Sequence, residues 1–487
     1  MATLISAAGT NRPSLWFDEA ATISAATHRS LPQLWQLLTH IDAVHGLYYL
    51  VMHGWFTIVP ATEFWARLPS SLAVGAAAAG VVVLTQKFVG RDVSICAGIV
   101  FAILPRITWA GAEARPYAFS AMAAVWLTVL WVSAVRRNTA TLWISYGLAV
   151  VGSTMLSTFS VLLLAVHATM LRPLGGERSV QRRWAATAAT TLMALAPFLW
   201  FCQRQIRQVA WIHPLNWHTV VEIVAQQYFD KSVAFAVVTG LLLSAAVIAM
   251  RTGKRRPPQD ETRLLAMLCI GWMVIPTAAT LIYSVAFKPI YYPRYLIATA
   301  PAMAITMALA ITTLARSRRA VGGVIALLTV VAAPNYFVNQ RDRHAKEGWD
   351  YSDLADVIIT HAHAGDCLLI DNTTRWIPGP IRALTAARPD AFAPLTDPGL
   401  GPHRQTLGRL WDGHLAVWDL TDQLDQCPTI WAITDHDHDL PDHQAAVMLP
   451  RGNRFAHTPD GEVLRALGFR VVERWQFTYG QVIKATR

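Results

Sequence analysis

Apolar runs of bilayer-spanning length recur along the chain, at about residues 68–86, 93–110, 116–135, 140–155, 158–172, 184–203, 232–250, 264–285, 296–314 and 320–336. A helix needs about 20 apolar residues to cross a bilayer, so these runs predict a polytopic α-helical membrane protein with about 10–11 spans. The polar connections alternate in kind. Those holding Lys87 and Arg91, Arg136 and Arg137, Arg172 to Arg183, Arg251 to Arg263, and Arg316 to Arg319 are basic and fill every second loop. The positive-inside bias makes these five cytoplasmic. The segment up to Pro69, the loops 111–115, 157–158, 203–231 and 287–294, and the tail from Asn335 are then extracytoplasmic. The stretch 46–60, GLYYLVMHGWFTIVP, reads as an interfacial helix on the outer leaflet, because counting it as a span would invert every basic loop.

Beyond Arg341 the periodicity becomes that of a soluble domain. A helix is expected over 350–364, and strands over 367–370, 429–433, 469–477 and 482–484, which make a small extracytoplasmic α/β domain at 341–487. Residues 1–340 form the expected transmembrane domain, with a first outer loop at 11–67. Met1 to Thr10 is too short to span a bilayer and lacks the basic start and apolar stretch of a signal peptide.

Composition agrees with a bilayer as solvent. The 487 residues are 54% hydrophobic and 15% charged, where soluble proteins carry about 25% charge. The 19 tryptophans suit rings at headgroup depth. The net charge of +10 sits in short loops rather than in a stripe interleaved with aromatics, so nucleic acid is excluded as a partner. Of five cysteines, Cys96, Cys202 and Cys269 lie in or beside apolar runs, while Cys367 and Cys427 lie in the tail, where a disulfide is permitted.

The outer segments carry the candidate chemistry. Asp18 and Glu19, within Leu15-Trp16-Phe17-Asp18-Glu19-Ala20, are adjacent carboxylates among aromatics. They are either a functional pair or the start of a helix capped by Asp18. His45 can bind phosphate or donate a proton, beside Tyr48 and Tyr49, which can equally anchor a helix at the interface. Glu63 and Arg67 stand four apart and can pair along one helix face. Glu113, Arg115 and Tyr117 open a span, and Lys288, Tyr291, Tyr292 and Arg294 crowd one short loop. Cations in short outer loops run against the usual bias, and an anionic ligand explains them as well as snorkelling does. The loop 203–230, with Trp211, His213, Trp217 and Tyr228, is amphipathic enough to lie on the membrane and cover a groove. Asp435-His436-Asp437-His438-Asp439 reads as a solvated loop rather than a metal site. A polyprenyl-phosphate sugar accounts for the set: its tail enters the bilayer, its phosphate meets the cations, and a carboxylate acts as general base on the acceptor.

At these residues the chain resembles the GT-C glycosyltransferases, in the protein O-mannosyltransferase and aminoarabinose-transferase-like branch with its actinobacterial mannosyltransferase relatives. The matching elements are WFDEA, HGLYY, EFWARLPS from Glu63, EARPYA from Glu113 and YYPRYL from Tyr291, in family order across roughly 14–335. The resemblance implies transfer with inversion from a polyprenyl-phosphate sugar, with Asp18 as base and Glu19 as the neighbouring candidate. It implies that His45, Arg115 and Arg294 approach the phosphate or sugar. No cofactor is implied, and a divalent metal is neither required nor excluded. The family's first transmembrane helix, normally ahead of the acidic motif, is nearly absent, which points to a misassigned start or a truncated chain. The family often has HPPLYY where this chain has the shorter HGLYY. An Ala-rich, Arg-over-Lys composition raises decaprenyl-phosphate mannose over decaprenyl-phosphate arabinofuranose as donor. The acceptor class is open among glycan, lipid and protein. A transporter or flippase is the rival class; it would place polar residues in mid-helix.

Overall fold

The computed structural model describes residues 1–253, 260–371, 382–439 and 454–487. They divide into two compact bodies. The first holds residues 1–10, 42–48 and 67–340; the second holds 11–41, 49–66 and 341–487.

The first body is a helical bundle. Among the described residues, seven helical stretches are long and apolar enough to cross a membrane by length and composition: Glu63–Gln86, Tyr117–Arg137, Arg178–Arg204, Val233–Arg251, Asp260–Ala286, Pro293–Leu314 and Arg318–Asn339. The apolar stretches Ala140–Leu156 and Thr158–Met170 are shorter. The run expected as one span at 93–110 is two helices, Arg91–Ile103 and Pro105–Ala110. Pro105 has no N–H to continue the first ladder but is preorganised for the first position of a new helix, so the axis breaks at Leu104.

Small residues let the helices approach closely, the packing that replaces hydrophobic drive inside lipid. Helix Ala300–Leu314 lies against Arg91–Ile103, Val233–Arg251 and Asp260–Ala286. It presents buried Ala302, Ala304 and Ala308, and Arg91–Ile103 presents buried Ala97 and Ala102. At Gly98 an added Cβ would meet Val82 Cγ2 at 2.6 Å, and at Gly80 it would meet Val125 Cγ1 at 2.7 Å. Only glycine fits either crossing.

Ion pairs and hydrogen bonds gather the basic connections at one end of the bundle. Arg136 donates to the Lys87 carbonyl at 2.7 Å and pairs with Glu261 at 2.6 Å. Arg318 pairs with Asp92 at 3.0 Å, and Arg183 donates to the Asn138 carbonyl. Helix Tyr117–Arg137 runs 21 residues from that end to the other, about 30 Å at 1.5 Å per residue. The sequence parity of the basic loops therefore has a physical counterpart.

The second body is built on a four-stranded sheet. Strands β1 (Cys367–Ile370), β2 (Thr429–Asp435), β3 (Arg470–Gln476) and β4 (Gly480–Thr486) lie in the order β1-β2-β4-β3. β1 and β2 are parallel; the other pairings are antiparallel. Helix Tyr351–His361 occupies the expected 350–364 region, and a disulfide joins Cys367 to Cys427.

The segment 11–67, expected to belong to the bundle as its first outer loop, falls largely into this second body, at 11–41 and 49–66. Leu15, Trp16, Ala20 and Ile23 share a core with Trp349, Leu354, Trp431 and Trp475. Backbone bonds fasten the segment: Ser14 N donates to the Arg343 carbonyl at 2.8 Å, and Leu15 N to Ser352 Oγ at 3.0 Å. Its apolar residues find their burial here, which a reading of local periodicity cannot foresee. The helix expected at 46–60 is Gly46–Phe56, with Leu50 and Val51 exposed.

The aspartate–histidine tract is the expected solvated loop only in part, with His438 and Asp439 exposed. Asp437 is buried and accepts the backbone N–H of Arg454 at 3.0 Å, while His436 Nδ1 lies 2.7 Å from the Phe477 carbonyl. Among the described residues no group of His, Cys, Asp or Glu is placed to hold a metal ion.

Candidate functional site

Arg294 is the centre of the first body's candidate site. It follows Pro293 at the start of a 3-10 segment, Pro293–Thr299. The preceding loop is fixed by Ser284, whose Oγ accepts the N–H groups of both Ile290 and Tyr291 at 3.0 Å. The buried Arg294 guanidinium lies 4.9 Å from the Tyr292 ring, 5.8 Å from Trp211 and 5.9 Å from Tyr117. Three aromatic faces around one guanidinium hold its plane and its charge in place. Tyr117 brings two neighbours. Its ring packs on Trp109 at 5.3 Å, and Trp109 lies under the Arg106 guanidinium at 4.9 Å.

Two residues away, Arg115 Nη2 lies 3.0 Å from His45 Nε2. Burial, and next the Arg115 charge, hold the imidazole well below its usual range, so the ring is neutral and accepts from Arg115. The proton-donor role expected of His45 does not suit a neutral ring beside a cation. The loop carrying His45 is held in turn by Gln205 and Gln208, whose side-chain oxygens accept the N–H groups of Ala43 and Asp42 at 2.9 and 3.2 Å. Glu113 is buried, and its carbonyl accepts from Ser70 Oγ at 2.6 Å.

Tyr291 is part of a belt rather than a surface ring. Its hydroxyl donates to Gln227 Oε1 at 3.1 Å, and Gln227 Nε2 donates to Tyr228 Oη at 2.9 Å. Burial raises both phenols, Tyr228 to about 12, so both stay protonated at neutral pH.

Other expected residues fall elsewhere. Lys288 is exposed and makes no ion pair among the described residues. Arg67 is fully buried and donates to the Thr10 carbonyl at 2.6 Å. Tyr48 and Tyr49 are fully buried instead of anchoring at an interface, Tyr48 packing edge-on against Phe119 at 5.6 Å. Arg106 and Asp230, which pair at 2.9 Å, were not among the expected residues. The available signal was Pro105-Arg106 inside an apolar run, a helix breaker followed by a charge.

The acidic pair belongs to the second body. Asp18 and Glu19 lie in the first turn of helix Phe17–Ala26, whose N-cap is Trp16, so of the two readings of Asp18 the capping one does not hold. In that turn the amide dipoles favour carboxylates. The helix is well anchored: Phe17 packs on Trp411 at 5.4 Å, Ser24 Oγ donates to the Leu410 carbonyl, and Arg29 donates to the carbonyls of Ser24 at 3.0 Å and Arg409 at 2.5 Å. Glu19 is buried and Asp18 partly exposed. Glu63 accepts from Ser352 Oγ at 2.6 Å and pairs with Arg388 at 2.7 Å.

No protein-family model matches the chain, and no curated protein sequence matches it. Solved structures do. ArnT from Cupriavidus metallidurans bound to undecaprenyl phosphate aligns with a TM-score of 0.60 at 13% identity, over 99% of this chain and 96% of that one. The apo state of the same ArnT aligns at 0.56 with the same identity and coverage. An oligosaccharyltransferase from Archaeoglobus fulgidus, in complex with zinc and sulfate, reaches 0.43 at 11% identity over 89% of this chain and 68% of that one. At 13% identity, what this chain shares with ArnT is the fold.

Proposed function

We propose that this protein is a multi-pass membrane glycosyltransferase that takes a sugar from a polyprenyl-phosphate donor. The sugar is mannose, with arabinofuranose the second candidate, and the acceptor is an extracytoplasmic glycan, lipid or protein. The reading is carried by the buried Arg294, walled by Tyr117, Tyr292 and Trp211, at the bundle end away from the basic connections. The likeness in fold to a protein held with undecaprenyl phosphate supports the same ligand class. The Cys367–Cys427 disulfide supports an oxidising compartment for the second body.

In the proposed reaction Asp18 removes the proton of the acceptor hydroxyl, and that oxygen attacks the anomeric carbon from the face opposite the phosphate. The new C–O bond forms as the bond to the phosphate oxygen breaks, and the configuration inverts. Polyprenyl phosphate leaves with the electron pair, and Arg294 and Arg115 stabilise its growing charge. The neutral His45 orients Arg115. The chemistry calls on neither nucleotide nor metal.

The test is to reconstitute the protein in vesicles with radiolabelled decaprenyl-phosphate mannose or arabinofuranose and extracted acceptors. Transfer from one donor is expected, and Asp18→Asn should abolish it at unchanged expression. Full activity in Asp18→Asn removes that residue from the mechanism. Movement of intact donor across the bilayer without covalent transfer would establish the transporter class instead.

A further inference from the structure

Arg106 and Asp230 form a buried ion pair that the proposed chemistry does not use. Arg106 Nη1 meets Asp230 Oδ1 at 2.9 Å, Nε donates to the Gln226 carbonyl at 3.0 Å, and Nη2 donates to that same carbonyl. All three of its nitrogens are therefore engaged by protein acceptors. The other oxygen of Asp230 accepts from Gln340 Nε2 at 2.9 Å, and its backbone carbonyl accepts from Asn335 Nδ2 at 2.8 Å. Gln340 also donates to the Pro105 carbonyl at 2.9 Å and accepts from Thr108 Oγ1 at 2.8 Å. The backbone at Asp230 and Lys231 is left-handed, with φ of 48° and 65°. Neither residue is glycine, so this conformation persists only because its surroundings hold it.

Such a pair is poor value as a stabiliser. Removing two charges from water costs several kcal/mol per ion, and apolar replacements are often as stable. What the pair does deliver is register. It ties together the helix break at Pro105, the π-helical turn Glu222–Gln226 and the π-helical turn Asn335–Asn339. Two of these bear on the Arg294 surround. Arg106 seats Trp109, which packs on Tyr117, one wall of Arg294. The turn that supplies Gln226 leads directly into Gln227, the acceptor for Tyr291, three residues before Arg294.

We propose that Arg106 and Asp230 are a positioning clamp for the anion site: neither touches the donor phosphate, yet the pair sets the aromatic wall and tyrosine belt that aim Arg294. The inference rests on the reading of Arg294 as a phosphate ligand. It predicts that substrate affinity, more than turnover, depends on the pair.

The probe is undecaprenyl phosphate binding to the purified full-length protein in detergent, by native mass spectrometry, alongside donor KM and kcat in vesicles. Arg106→Lys and Asp230→Asn should each weaken binding and raise donor KM roughly 10–100-fold, the usual cost of displacing a supporting group. The value of kcat at saturating donor should stay within about threefold. The double variant Arg106→Gln with Asp230→Asn leaves no lone buried charge, so it should remain folded where a single variant does not. Its binding should fall by about the same factor as the singles, since both act through one clamp. Arg136→Gln, at the far end of the bundle, should leave binding unchanged. A folded double variant binding within about twofold of wild type overturns the clamp alone. An equal loss in Arg136→Gln would mark general destabilisation and also overturn it. Absence of binding by the wild type would overturn the phosphate reading of Arg294, and the clamp with it.

Discussion

Removing the Cys367–Cys427 disulfide tests the second body's construction most directly. The bridge spans 60 residues with Cα atoms 5.8 Å apart, and it fastens β1, an edge strand, to the turn that leads into β2. Loop-closure entropy for a loop of that length corresponds to about 4 kcal/mol of stability. The body contains roughly 200 residues, and in that size range each kcal/mol moves Tm by about 2–4 °C. Cys367→Ala with Cys427→Ala should therefore lower the melting temperature of this body by about 8–16 °C. The bundle's own transition should stay where it is. The assay is a thermal scan of the intact protein in detergent, following tryptophan fluorescence, with the oxidised state of the wild type confirmed by mass. The whole chain is required, because the isolated tail lacks residues 11–41 and 49–66, which belong to its core. A fall below about 3 °C, with the wild type oxidised, would refute the loop-closure reasoning.

Three further outcomes follow from the geometry. Arg294→Ala should weaken undecaprenyl phosphate binding by about 30–150-fold, as loss of a charge-assisted bond worth about 2–3 kcal/mol implies. Arg294→Lys should retain part of it, since the charge survives but the planar fork does not; an affinity unchanged in both would remove Arg294 from the phosphate site. His45 is held neutral in the folded state, so the unfolded chain binds the extra proton as pH falls below about 6.5. Stability should drop with acidification through that range, and His45→Gln should flatten the slope in a pH series of melting curves. Asp350 has the opposite sign. Burial pushes its carboxyl up to about 7, despite the N–H groups of Tyr479 and Gly480 that it accepts at 2.8 and 3.0 Å. Its stabilising contribution is present at acid pH and lost between about pH 4 and 7, up to about 4 kcal/mol. Asp350→Asn keeps an acceptor for both N–H groups and should melt higher than wild type at pH 8.

Local signals were legible in the sequence, and long-range ones were not. β1 was placed correctly at Cys367–Ile370 because a short apolar run between polar turns needs no partner to be recognised. The cation–tyrosine loop around Arg294 and the EARPY segment stood out because they violate the charge bias of outer loops. Arg106 was hidden because the apolar run on both sides of Pro105 imitates one continuous span. Glu63 was read with Arg67, four residues on, yet it bonds Ser352 and Arg388, some 300 residues away. Asp437 looked solvated because its neighbours are all polar, whereas its partners are distant: its N–H donates to Gln476 Oε1 and its carboxylate accepts the N–H of Arg454. Trp211 was legible as part of an amphipathic loop, but its place beside Arg294 was not.

The interleaving of the acidic segment with the C-terminal sheet has a consequence for synthesis. Leu15 waits for Ser352, its hydrogen-bond partner 337 residues downstream. At ordinary elongation rates the delay is on the order of 15–70 s. Throughout that interval Leu15, Trp16 and Ile23 have no core to enter, while the bundle is being threaded into the bilayer one hairpin at a time. A ribosome that stalls or terminates before codon 341 would leave a bundle inserted and an acidic helix unsupported. Residues translated some 337 positions later thus complete the surroundings of the acidic helix.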